Sequence, residues 1–374
     1  MQVRSAVLRE IGASTPYEES QPIHIETLEL DSPEKGEVLI QIKAASLCHS
    51  DLSVMNGSRP RPLPMALGHE AAGVIVEVGE GVTDLEPGDH IVCVFVPSCG
   101  QCGPCREGRP ALCEPGAASN TAGTLLGGGK RLHTATETVN HHIGVSAFSE
   151  YAVVSRNSVV KVSKDIPFEK AALFGCAVIT GVGAVVNTAG IKLGSTVAVV
   201  GLGGVGLSAL LGAIAAGASR IVAVDINETK LKQAKELGAT DVFNSKDADV
   251  VEQVRNATGG GLDYAFETAG VVPAMDVAYA ITKRGGTTVT TGLPHPEHQF
   301  SFPYLSLTAE ERTVKGSYLG SCVPSRDIPR YMNLFQEDRL PVDKLITDFI
   351  TLDEINKGFD ILEKGDSSRI VIKF

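Results

Sequence analysis

The sequence runs to 374 residues, more than one ordinary hydrophobic core accommodates, and its composition (43% hydrophobic, 21% charged) is that of a globular chain of about two domains. Its 33 basic and 44 acidic residues leave a net charge of −11, which argues against a nucleic-acid or membrane-surface partner. No apolar run approaches the ~20 residues that span a bilayer, and the first residues, MQVRSAVLREIG, hold too short an apolar stretch for a secretion signal. A cytoplasmic location is therefore expected, and there the eight cysteines point to metal or catalysis before disulfides.

Residues 1 to about 175 read as mostly β. Segments 38–43, 73–78 and 90–95 alternate or run apolar as strands do, with turn signals such as Pro87-Gly88-Asp89 between them. Two islands of metal-ligating residue types interrupt these strands. The first is Cys48-His49-Ser50-Asp51 with Gly68-His69-Glu70; the second is Cys99, Cys102, Cys105 and Cys113, spaced C-x2-C-x2-C-x7-C. The second lies in a Pro- and Gly-rich stretch that should form neither helix nor strand ladder. Four thiolates satisfy tetrahedral zinc and leave no open position, so the site reads as structural, ordering a loop that has no core. A redox dithiol or a pair of disulfides is the competing reading.

The first island is less specific. Read alone, Cys48 fits a small core residue and His69 a buried histidine. Cys176, just ahead of the second half, would complete a Cys2His set, and three protein ligands with one open position is the pattern of catalytic zinc. Segment 114–147, rich in Gly and Thr, reads as a loop. Its His133, His141 and His142 are expected to be solvated rather than ligands.

From 178 to 318 strand and helix patterns alternate. A β-branched run at 197–200 precedes Gly201-Leu-Gly203-Gly204-Val205-Gly206, then an apolar helix at 207–216 and a second strand ending at Asp225. In this context the turn reads as a dinucleotide fingerprint: Gly201 for the turn, Gly203 for the approach of a pyrophosphate, Gly206 for helix–strand contact. Asp225 stands where a carboxylate binds the ribose hydroxyls, which favours NAD over NADP. Helical stretches at 230–237, 249–257 and 273–281 alternate with strands at 262–266 and 286–291, giving a doubly wound parallel sheet. Two helices (near 325–336 and 353–363) and a last strand from 368 to 374 are expected to return to the first domain.

GHEAAGVIVEVGEGV, CGQCGPC, GLGGVG and AVDIN together resemble the zinc-containing medium-chain alcohol dehydrogenase family, close to its class III-like branch, over nearly the whole chain. The resemblance implies an α/β fold in which a Rossmann doubly wound parallel sheet (178–318) is inserted in a mostly β, GroES-like zinc catalytic domain (1–177 and 319–374). It implies two zinc ions per subunit: Cys48, His69 and Cys176 for the catalytic ion; Cys99, Cys102, Cys105 and Cys113 for the structural one. By the same resemblance Glu70 lies beside the catalytic metal, Asp51 orients the ligand histidine, and Ser50 takes the alcohol proton. Asp225 and Lys230 meet the adenosine ribose, His49 and Arg369 the pyrophosphate, and Thr180 and Phe95 border nicotinamide and substrate. Gly201, Gly203, Gly204, Val205 and Gly206 form the NAD turn.

The activity so implied is reversible oxidation of a primary or secondary alcohol to an aldehyde or ketone with NAD, in a homodimer or homotetramer whose only other partner is the small-molecule alcohol or aldehyde. Two positions depart from the pattern. Ser53 replaces the relay histidine of the animal enzymes, and a hydroxyl is a poor proton acceptor. Arg131 resembles the anion-binding arginine of the glutathione-dependent formaldehyde dehydrogenases, but Arg59 and Arg61 are basic where that branch is acidic. That activity, a non-catalytic NAD-binding zinc protein and a zinc-free quinone reductase-like relative are the alternatives.

Overall fold

The computed structural model describes residues 1–365 and 367–374. The chain forms two units: Met1–Cys176 with Val323–Asn333 and Ile346–Phe374, and Ala177–Cys322 with Leu334–Leu345. The tail divides between the units, with 323–333 and 346–374 in the first and 334–345 in the second. Leu340, Val342 and Leu345 of that segment are fully buried, which ties it to the second unit.

In the first unit, Gln2–Leu8, Ile23–Leu30, Leu132–His133, Thr138–His141 and Met65–Ala66 close into a barrel. Its interior is apolar, with Val3, Val7, Leu28, Leu30, Leu132 and Val139. A second sheet runs in the order Val159–Lys161, His90–Cys93, Glu70–Val78, Glu37–Ser46, Arg369–Lys373, Ile346–Ile350, with Tyr151–Ser155 also on Glu37–Ser46.

One register in this sheet builds the site. Glu37–Ser46 pairs antiparallel with Glu70–Val78, and Ser46 lies opposite Glu70. Cys48 therefore lies two residues beyond one strand end, and His69 immediately precedes the start of its partner. Val371 pairs with Ser46 on the other side, which brings Arg369 to the same edge. Ala44, Ala45, Ala71, Ala72 and Gly73 line this pairing; a Cβ on Gly73 would stand 2.2 Å from the Gln41 carbonyl oxygen. Gly175 ends the short turn Ala172–Gly175 against Cys93, where a Cβ would meet the carbonyl oxygen at 2.2 Å, and the chain delivers Cys176 next.

The segment read as a loop at 114–147 holds more order than its composition indicates. Glu114–Ala122 is helical, because Pro115 suits the first turn and Cys113 Sγ accepts the Gly116 N–H. Short helical turns also form at Gly103–Arg106 and Pro110–Leu112, inside the stretch expected to lack them.

In the second unit six parallel strands run Asp241–Asn244, Arg220–Asp225, Thr196–Val200, Leu262–Glu267, Thr282–Thr290, Thr313–Gly316. The order reverses between Thr196–Val200 and Leu262–Glu267, the switch point at which such sheets bind ligands. Ala198, Val200, Val222, Val224 and Ala265 face Val250, Val254, Ala278 and Ile281 in the core. Helices Ala177–Gly183 and Gly204–Ala215 meet at a seam of glycines. A Cβ on Gly181 would lie 2.3 Å from the Val205 carbonyl oxygen, and one on Gly212 3.0 Å from Val182 Cα. Among the described residues no single helix is long and apolar enough to cross a membrane.

Candidate active site

The first unit brings Cys48, His69, Glu70 and Cys176 together, all buried, with their ligand atoms within 4.8 Å of one another. His69 Nε2 and both Glu70 carboxylate oxygens are buried without a hydrogen-bond partner. Desolvated polar atoms of this kind are costly unless something binds them. Two sulfurs and an imidazole nitrogen suit zinc and leave a coordination position open. The hydrogen bond between the two thiols draws Cys48 well below its ordinary pKa and holds Cys176 well above, with burial raising both.

Helix His49–Met55 starts at the cluster. Cys48 is its N-cap, and the Asp51 carboxylate reaches back to the Cys48 N–H (3.2 Å) in a capping box. The other Asp51 oxygen, Oδ1, accepts the Gly68 N–H at 3.2 Å and lies 3.1 Å from His69 Nδ1. The carboxylate thereby fixes the proton on Nδ1 and leaves Nε2 as the ligand atom. Burial opposes charge on both groups; His69 and His142 nevertheless hold the Asp51 carboxyl below the usual carboxylate range, and Asp51 with Cys48 raises the basicity of His69.

Glu70 faces Arg369, with Oε1 3.5 Å from Nε, and neither side chain is appreciably exposed. Burial pushes the Glu70 carboxyl up to about 8, with Arg369 pulling the other way. Arg369, expected at a pyrophosphate, is thus 2% exposed and beside Glu70. His49 is exposed on the first turn of its helix and Ser50 half-buried next to it. Phe95 sets its ring edge-on to His69, centroids 5.5 Å apart. Ser53 Oγ donates to the His49 carbonyl (2.7 Å) and accepts from Arg59 Nη2 (3.0 Å).

Cys99, Cys102, Cys105 and Cys113 form a second cluster, their sulfurs also within 4.8 Å. Main-chain N–H groups point at these sulfurs: Cys99 at Cys113 (3.2 Å), Gln101 and Cys102 at Cys99 (3.4 and 3.3 Å), Gly116 at Cys113 (3.4 Å). The donors from Gln101 and Cys102 bring Cys99 down to about 6. Donors aimed at sulfur stabilise thiolates, as a closed four-sulfur zinc site requires. None of the eight cysteines is in a disulfide among the described residues.

In the second unit the glycines of the turn meet different surroundings. Gly201 has φ +93°, in the left-handed region open to glycine, and a Cβ on Gly206 would stand 1.9 Å from the Gly201 carbonyl oxygen. A Cβ on Gly203 would meet nothing within 4 Å. Gly203 is also the N-cap of Gly204–Ala215 and supplies no capping side chain, so the first N–H groups open onto free space that suits a phosphate. Asp225 ends the next strand; Oδ2 accepts the Leu202 N–H (2.6 Å) and Oδ1 the Asn227 N–H (2.9 Å). Lys230 is buried one turn into Glu228–Leu237, and Thr180 lies buried within Ala177–Gly183.

Residues 34–164 match the alcohol dehydrogenase GroES-like domain and residues 204–337 the zinc-binding dehydrogenase family. The crystal structure of an alcohol dehydrogenase zinc-binding domain protein from Burkholderia ambifaria is 36% identical, with a TM-score of 0.94 over 100% of this chain and 99% of that one. The chain belongs to the zinc-containing medium-chain alcohol dehydrogenase family. Benzyl alcohol dehydrogenase from Acinetobacter calcoaceticus is 35% identical, with a TM-score of 0.93 and coverage of 100% and 99%. A zinc-binding dehydrogenase from Sinorhizobium meliloti 1021, solved bound to NADP, is 25% identical, with a TM-score of 0.80 and full coverage of both chains.

As a member of this family the chain is an oxidoreductase by fold, with GroES-like and Rossmann parts. Two residues stand differently from the sequence reading. His141 and His142, expected in a solvated loop, are 0% and 2% exposed, because Thr138–His141 closes the barrel against Met65–Ala66. His142 Nδ1 lies 3.0 Å from Asp51 Oδ1, a contact no sequence signal revealed. Arg131, which resembles an anion-binding arginine, is buried and spends its guanidinium on Glu37 and Glu34.

Proposed function

We propose that this dehydrogenase oxidises a primary or secondary alcohol reversibly to an aldehyde or ketone with NAD. The observation that carries the reading is the buried cluster of Cys48, His69, Glu70 and Cys176, whose ligand atoms converge within 4.8 Å and in which His69 Nε2 makes no geometric hydrogen bond. A zinc ion held by Cys48, His69 and Cys176 would supply Lewis acidity of the kind that lowers the pKa of water from 15.7 to about 7, and NAD would supply the hydride acceptor.

The chain's own residues do the rest. Asp51 holds His69 in one tautomer and orientation. Ser50 Oγ takes the proton of the substrate hydroxyl and passes it toward solvent. The Phe95 ring presents an apolar edge that keeps water from the reacting carbon. Gly203 and the amides after it hold the pyrophosphate, and Asp225 holds the adenosine ribose and repels a 2′-phosphate. The four-cysteine loop holds a second, structural zinc ion. The likeness to a benzyl alcohol dehydrogenase makes aromatic primary alcohols the first substrates to examine.

The test is a panel of aliphatic and aromatic alcohols offered to the zinc-loaded protein with NAD or NADP, read by NADH fluorescence. Cys48→Ala should still bind NADH but lose nearly all turnover. A fully metallated wild type that oxidises no alcohol with either cofactor would sink the reading.

A further inference from the structure

We infer that His142 is a positioning residue for the catalytic metal, a second imidazole that locks the Asp51 carboxylate and the His69 ring in the orientation zinc needs. The inference rests on the zinc reading above and extends it to a residue outside the Cys48, His69 and Cys176 set.

Three observations carry it. First, Asp51 Oδ1 is a shared point: the Gly68 N–H lies at 3.2 Å, His69 Nδ1 at 3.1 Å and His142 Nδ1 at 3.0 Å. The His142 contact is close but lacks full hydrogen-bond alignment, and Nδ1 has no other partner. Asp51 is 0% exposed, so no water is at hand to replace a lost neighbour. Second, the His142 ring stands edge-on to His69, centroids 5.5 Å apart at 83°, while Phe95 stands edge-on as well, at 5.5 Å and 87°. The two rings wall His69 and block its rotation, so that Nε2 stays aimed at Cys48 and Cys176.

Third, the backbone is strained where it sets His142 in place. Ile143, Gly144 and Ser146 have φ of 40°, 70° and 57°. A β-branched residue in this region is a genuine outlier, and such strain persists only where the surroundings impose it. Here the His142 N–H is shared between Ser146 Oγ (3.0 Å) and the Ala66 carbonyl (3.2 Å), and the Val145 N–H returns to the His142 carbonyl (3.1 Å). The turn therefore sets one side chain, His142, against Asp51.

Residues that orient a ligand histidine typically change metal affinity by about 10–100-fold when replaced. The experiment compares wild type with His142→Phe, which keeps the ring but cannot donate, and His142→Gln, which keeps an N–H donor. Zinc content and release to a competing chelator are measured for each, with the d–d spectrum of the protein carrying Co(II) at the catalytic position. For His142→Phe we expect faster release of one zinc at least tenfold, an altered cobalt spectrum, and a fall in kcat larger than the rise in KM. The four-cysteine zinc should be retained, and His142→Gln should recover most of each property. Wild-type release and an unchanged cobalt spectrum in His142→Phe would overturn the inference. So would a His142→Gln protein as impaired as His142→Phe, since packing alone would then explain the loss. If wild type itself carries only the four-cysteine zinc, the zinc reading falls as well, and that outcome is separable from the others.

Discussion

Arg131 grips both carboxylate oxygens of Glu37, Nε to Oε2 at 2.8 Å and Nη2 to Oε1 at 2.9 Å, with both side chains at most 10% exposed. Glu34 adds a third bond at 2.5 Å. Removing one member of a buried pair strands the other, a loss of about 3–5 kcal/mol. Arg131→Ala should therefore lower the urea midpoint substantially at pH 7. The same engagement leaves no guanidinium for the carboxylate of a glutathione adduct. Formaldehyde turnover by wild type should be equal with and without glutathione; a large gain would restore the glutathione-dependent alternative.

Stability should fall in mild acid because of His141. Burial drives its pKa down to about 3, and its Nε2 accepts the Arg131 N–H at 3.0 Å, so the folded protein requires the neutral ring. The unfolded chain takes up a proton near pH 6.5. The contribution is complete above 6.5 and declines as pH falls from there toward 3, by about 1.4 kcal/mol per unit. Urea unfolding of wild type and His141→Asn from pH 7.5 to 5 should show a shallower pH slope in the variant. Parallel curves would refute this account.

Cys113→Ala should release one zinc per chain and loosen the segment from Cys99 to the helix Glu114–Ala122, whose first turn rests on the Cys113 sulfur. Metal analysis and limited proteolysis read the two effects together. Cleavage is expected within that segment, while the Cys48 site keeps its ion.

Asp225→Asn retains an acceptor for the Leu202 N–H but removes the charge. The ratio of kcat/KM for NAD over NADP should drop by roughly tenfold or more, equivalent to about 1.4 kcal/mol. An unchanged ratio would show that Asp225 serves the turn and not the ribose.

What could be read from the sequence was what neighbouring residues decide among themselves. Gly201, Gly203 and Gly206 lie within one turn of chain, so their spacing could be read without any tertiary contact. The helix after them was read from 207, although it begins at Gly204, because glycines there carry little helix preference. The four cysteines were legible for the same local reason. The meeting of Cys48, His69 and Cys176 was supplied by resemblance; physically it follows from Ser46 lying opposite Glu70 and from the fit of Gly175 against Cys93. Neither is visible in local periodicity. His141 and His142 were misplaced because Asn140, Gly144 and Ser146 around them look like a loop, while their burial depends on a strand pairing with Met65–Ala66 far back in the chain.

The glycine seam between Ala177–Gly183 and Gly204–Ala215 carries a mechanical consequence. Only a hydrogen atom separates Gly181 from the first turn of the helix that Gly203 caps. A methyl group there would push against the Val205 carbonyl and lever that turn out of place. At the proposed NAD site, Gly181→Ala should accordingly weaken coenzyme binding from the back of the helix.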